Sequence, residues 1–110
     1  MIEEINIKEN MPIVSDAMDT LKSRLSLAKS RKVKIVVILH GYGSTGVGGA
    51  INKAARQWLM SQLRKQVFKQ VVFGENFDMY DESARLLVTK YPDLRKYYLG
   101  QNHGITILEI

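Results

Sequence analysis

Between Val33 and Leu39 the chain reads Val-Lys-Ile-Val-Val-Ile-Leu, and from Gly41 to Gly49 it carries five glycines, a serine and a threonine. A β-branched run that is nearly continuous suits a central strand buried on both faces. After the loop, Ile51, Ala54, Ala55, Trp58, Leu59 and Leu63 recur at helical spacing, leaving Asn52, Lys53, Arg56 and Gln57 on the other side. A buried strand, a glycine-rich turn and an amphipathic helix in direct succession call for an α/β fold in which the helix packs back on the strand it follows.

The flanking segments fit that frame. "EEINI" places Ile5 and Ile7 on one face of a short strand, and Pro12 stands near the start of a helix in which Val14, Ala17, Met18, Leu21, Leu25 and Ala28 form one stripe to about Ser30. "QVVFG" reads as a third strand and "ITILEI" as a last one. Between them Glu75 to His103 is too long for a plain connection and should carry structure of its own. Asp81 is placed to cap a helix through about Thr89, with Leu86, Leu87 and Tyr91 turned inward, and Pro92 to open a shorter turn to Tyr98. The expected order is β-α-β-α-β, a helical insert over 75–103, then β: a single domain over residues 1–110. Its fold class is α/β, an α+β two-layer sandwich with a mixed sheet of about four strands and helices mainly on one face.

Composition removes several kinds of chemistry. The 110 residues contain no Cys and only two His, so thiolate metal sites, disulfides and Cys nucleophiles are excluded, and a multi-histidine metal site is not expected. No apolar run approaches a membrane span, and the acidic start "MIEEINIKEN" lacks the basic region of a secretion signal. The expectation is a soluble cytoplasmic protein with no metal and no cofactor.

Charge is distributed in blocks. Residues 20–74 hold eleven Lys and Arg, from Lys22 to Lys69, and no acid, while both flanking segments are net acidic. The basic block brackets the glycine loop on both sides, and such a field draws polyanions, nucleic acid above all.

The loop itself contains Gly41, Gly43 and Gly46 as a literal G-x-G-x-x-G after a strand and before a helix, with Glu75 ending the next strand. That imitates a dinucleotide fingerprint. Against a nucleotide-cofactor reading stand the position of the strand, which is not the first element, the short chain, and the extra Gly48 and Gly49. Val47 and Gly48 occupy the places where a P-loop needs Lys and Ser or Thr. What remains is the chemistry such loops share: glycine backbone that lets a phosphate come close, helix N–H groups aimed at it, hydroxyls from Ser44 and Thr45, and charge from Lys53 and Arg56.

"VVILHGYGSTGVGGAINKAARQWL", closed by "NHGITILEI", resembles the small MutS-related (Smr) domain family over Ile5 to Ile110. Its hallmarks are a strand ending in His-Gly-x-Gly, a Thr-Gly step, a helix, and a final Gly-x-Thr strand. The resemblance implies a fold like the C-terminal domain of bacterial translation initiation factor three, nucleic-acid binding, and in many members endonucleolytic cleavage of DNA or RNA. It implies that His40 to Gly46 meets the nucleic-acid backbone. The chain departs from the family where many members carry Asp-x-His-Gly: here Asn6-Ile7-Lys8-Glu9 stands instead. Neither Asn6 nor Lys8 serves as a general base near neutral pH without a large pKa shift, so cleavage is expected to be weakened. Ser44 is additional before the Thr-Gly step, and the Arg common after it is absent, leaving Lys53 or Arg56 to substitute.

These readings give a set of candidate residues. His40 is the candidate catalytic proton carrier, with a loop-shaping hydrogen-bond role as its alternative. Gly41, Tyr42, Gly43, Ser44, Thr45, Gly46, Lys32, Lys53 and Arg56 are the candidate nucleic-acid contacts. His103, before Gly104, is assigned to packing or turn formation on the same edge of the sheet. The alternative function is a protein-interaction or structural module, with Tyr80, Tyr91, Tyr97 and Tyr98 of the insert as a partner surface.

Overall fold

The structure is a computed structural model and describes residues 2–10, 12–41, 47–98 and 102–110. Four strands, β1 (Ile2–Asn6), β2 (Ile35–Leu39), β3 (Gln70–Phe73) and β4 (Ile105–Glu109), form one sheet in the order β1-β2-β4-β3. β1 and β2 run parallel, which requires a crossover, and α1 (Val14–Ser30) supplies it. β4 inserts between β2 and β3 and is antiparallel to both, with Ile38 opposite Thr106 and Val72 opposite Ile107. The apolar run thus occupies an interior position, as its composition implies.

Alternation along β2 divides the core. Val36 and Ile38 face α1 and α2 (Val47–Arg64) together with Ile5, Leu21, Leu25, Ile51, Ala55, Leu59 and Leu108. Ile35 and Val37 face the opposite way, with Ile105, Ile107 and Val72. In α2, Ile51, Ala55 and Leu59 form the fully buried seam, while Ala54, Trp58 and Leu63 are half-buried at its margin.

The insert covers this second face. Asp81 caps α3 (Glu82–Lys90) by accepting a 2.9 Å hydrogen bond from the Ala84 amide, and Pro92 opens a 3-10 helix through Tyr97. The two long helices share one face, as the expected two-layer sandwich requires, but the insert adds a smaller helical layer on the opposite face, because Ile35, Val37, Ile105 and Ile107 are apolar there and need cover. Phe77 anchors that layer. Its ring is fully buried and meets Tyr98 edge to face, with centroids 5.6 Å apart.

Two details of the insert differ from expectation. Ala84, Leu87 and Val88 point inward, whereas Leu86 is 60% exposed, because the buried stripe runs one position away from it. Among the insert's four tyrosines, Tyr91, Tyr97 and Tyr98 pack against the second core cluster, and only Tyr80, 85% exposed, remains on the surface. Tyr97 also donates its hydroxyl to Glu4 on β1, tying the insert to the edge strand, and burial with this bond raises the phenol pKa. Among the described residues no helix is long and apolar enough to cross a membrane.

Candidate nucleic-acid interface

Strand direction gathers His40, Gly41 and their surroundings at one edge. β1, β2 and β3 all end there and β4 begins there, so Asn6 to Glu9, His40 and Gly41, Gly74 and Glu75, and Asn102 to Gly104 are neighbours. Carboxyl ends of parallel strands are the usual ligand edge of open α/β sheets. Tyr42, Gly43, Ser44, Thr45 and Gly46 lie outside the described residues, so the site is built from its surroundings.

His40 leaves the strand on the side covered by α2 and is fully buried. Its Nε2 lies 2.8 Å from Thr106 Oγ1, and its Nδ1 lies 2.7 Å from the Gly41 carbonyl. Because a carbonyl only accepts, Nδ1 carries the proton and Nε2 accepts from the threonine hydroxyl. Burial drives the imidazole pKa down to about 4, outweighing the hydrogen bond to Gly41, and nearby Arg56 lowers it further. The ring is a neutral, doubly bonded strut, with no free nitrogen facing solvent.

The next residue turns the chain. Gly41 has φ +72°, in the left-handed region, and a Cβ there would touch the Lys8 side chain at 3.4 Å. The His40 and Gly41 amides both donate to the Gly104 carbonyl at 3.0 Å, fastening the loop to the start of β4. Asn52, one turn into α2, donates to the carbonyls of Gly41 at 2.7 Å and His103 at 3.1 Å. Sequence spacing leaves Asn52 on the outer face of the helix. Its low helix propensity at an interior position is the available signal of a special role.

Arg56 and Glu75 form the charged element of the edge. Both terminal nitrogens of Arg56 donate to the Glu75 carboxylate at 2.6 Å, one also donates to the His103 carbonyl at 3.0 Å, and the guanidinium lies over the Phe73 ring, 4.3 Å from its centroid. Burial pushes the Glu75 carboxyl up, but the bonds and charge of Arg56 outweigh it, and its pKa falls below the ordinary value. Glu75 is the acid that a dinucleotide fold would aim at a ribose; here it is occupied by Arg56. His103 is largely exposed, its Nδ1 3.7 Å from Glu75.

The remaining candidates separate. Lys53 projects from the first turns of α2 at this edge and is exposed. Lys32 stands at the other end of β2, closing α1 with φ +60° and its amide bonded to Lys29; at ~3.3 Å per residue the path to His40 spans roughly 26 Å. It therefore does not share the edge with the glycine loop. Lys8, adjacent to Gly41, does. It lines a cavity of about 310 Å³ with Leu39, Gly41, Asn102, Gly104 and Ile105. The Asn6 side-chain oxygen accepts from the Lys8 and Glu9 amides at 3.0 Å, so the amide that replaces the family's acid shapes the turn presenting Lys8.

The sequence profile of the Smr domain family matches residues 12–75. Among solved structures the chain is similar to the Smr domain of MutS2 from Thermus thermophilus, with a TM-score of 0.58 and 16% sequence identity, covering 97% of this chain and 95% of that one. No curated protein matches it. With more than half of its residues inside the family profile and its elements following that fold over 97% of the chain, the chain belongs to the Smr domain family.

Proposed function

We propose that this Smr domain binds nucleic acid at the edge where β1, β2 and β3 end, and that it cleaves weakly or not at all. The observation that carries the reading is electrostatic. The edge presents Lys53, from the acid-free block of eleven basic residues, together with Lys8 from the N-terminal segment, and the carboxylate of Glu75 is already matched by Arg56. Gly41 to Gly46 are the proposed phosphate contacts, and Lys53 and Lys8 supply charge at the same edge. Arg56 holds the edge in shape through Glu75 and His103.

Cleavage needs a group that exchanges a proton near neutral pH. Asn6 cannot, and His40 is committed to Gly41 and Thr106 with a pKa near 4. This favours His40 as a positioning residue over its alternative as proton carrier. The test is a titration with structured RNA, single-stranded DNA and duplex DNA at several salt concentrations, with the products run on a gel alongside. Affinity should fall steeply with salt and the gel should show little cutting. An affinity indifferent to salt overturns the binding reading, and robust cleavage lost on His40→Ala with binding intact restores His40 as the proton carrier.

A further inference from the structure

A groove of about 470 Å³ runs between α2 and the outermost strand, β3, lined by Arg56, Gln57, Met60, Arg64 and Phe73. Resting on the nucleic-acid reading above, we infer that this groove holds a single-stranded segment of nucleic acid and leads it away from the glycine-loop edge. Lys53, Gln57, Met60 and Arg64 recur at spacings of four, three and four, so they form one stripe along α2. At 1.5 Å per residue the stripe is about 16 Å long. Lys53 stands at the glycine-loop end and Arg64 at the far end, both exposed.

Between these two cations the groove is mostly apolar, with Gln57 and Arg56 as its polar members. The Arg56 guanidinium lies over the Phe73 ring, 4.3 Å from its centroid, and is held there by Glu75, and Met60 adds a polarizable thioether beside it. Cations that pair with phosphates, spaced by a planar platform on which unpaired bases stack, are what a single strand requires and a duplex, whose bases are covered, does not. At ~3.4 Å per stacked nucleotide the stripe accommodates about five nucleotides. The residues that line the groove include no carboxylate, and Glu75, bonded to Arg56, is neutralised by it, so the groove favours an anionic occupant.

The test is fluorescence anisotropy with a labelled ten-nucleotide thymidine strand and a ten-base-pair duplex, using the wild-type chain, Arg64→Ala and Met60→Ala. Arg64→Ala should weaken single-strand binding by about tenfold and lower its salt slope by about 0.7, with duplex affinity within twofold of wild type. Met60→Ala should weaken the single strand alone without altering the salt slope. If the wild type binds the single strand and Arg64→Ala binds it equally well, the groove assignment is overturned while the wider reading stands. Equal loss for strand and duplex also overturns it, as does a polyglutamate peptide that binds as tightly as the oligonucleotide and is equally sensitive to Arg64→Ala. A wild-type chain that binds neither oligonucleotide at low salt removes both readings together.

Discussion

His40 and Thr106 are separated by 66 residues in the chain and joined by a 2.8 Å hydrogen bond beneath the start of α2. With Gly41 taking the other ring nitrogen, the bond fixes both tautomer and orientation of a buried imidazole, and the glycine loop leaves the sheet from that fixed point.

The same arrangement makes stability depend on pH. The imidazole takes up a proton near 6.5 when unfolded but only near 4 when folded, so the unfolded state binds more protons between those values. The contribution is fully present above about pH 6.5 and is lost as pH falls toward 4, amounting to about 3 kcal/mol. Urea midpoints measured from pH 4 to 7 should decline toward acid, and the decline over this window should be markedly shallower in His40→Gln. Identical slopes in the two proteins would show that the ring is not held neutral.

Thr106→Val keeps the shape and strand preference of the side chain while removing the hydroxyl that donates to Nε2. The cost should be about 1–3 kcal/mol for an unsatisfied buried acceptor, and Thr106→Ser should recover most of it. Chemical denaturation of the three proteins measures this directly. Equal stability of Val and Thr at this position would mean that the bond contributes nothing.

Arg56 and Lys53 should respond oppositely. Arg56→Ala breaks a partly buried bidentate pair and strands Glu75, which should cost about 2–3 kcal/mol and lower Tm by roughly 10 °C or more. Lys53→Ala, on an exposed helix face, should leave stability within about 0.5 kcal/mol yet weaken nucleic-acid binding across sequences and flatten the salt dependence by about one unit. Calorimetry and salt titration on both variants separate the structural cation from the binding one. A Lys53 variant with unchanged affinity would remove Lys53 from the interface.

Gly74 follows β3 directly, and a Cβ there would collide with the Asn102 carbonyl and the Ile105 side chain. Backbone cannot yield as a flexible side chain does, so Gly74→Ala should destabilise by about 3 kcal/mol or more. A thermal melt of this variant close to wild type would mean that the β3 and β4 ends can separate at little cost.

Much of the architecture was legible because it is written in local periodicity. The β-branched run at Ile35–Leu39, the stripes of α1 and α2, the Asp81 cap and the break at Pro92 each depend on neighbours within a few residues. The face taken by the insert was not legible, since Leu86 and Leu87 are equal in hydropathy and only docking on Val37 and Ile107 decides which is buried. Lys32 and Lys53 look alike in sequence for the same reason: both flank the loop in chain order, and only strand direction puts one of them at the far edge.

By itself, the amino-acid sequence determined an α/β chain of the Smr type with a basic middle, a glycine loop between strand and helix, and no acid-and-histidine pair at the end of β1. Tertiary structure alone decided which polar groups are free to act. Pairing β4 beside β2 delivered Thr106 to His40, and packing α2 over β3 delivered Arg56 to Glu75. Both matches are made across many residues of sequence. A side chain's chemistry is set by its type, but its availability is set by which partners burial brings within hydrogen-bond reach.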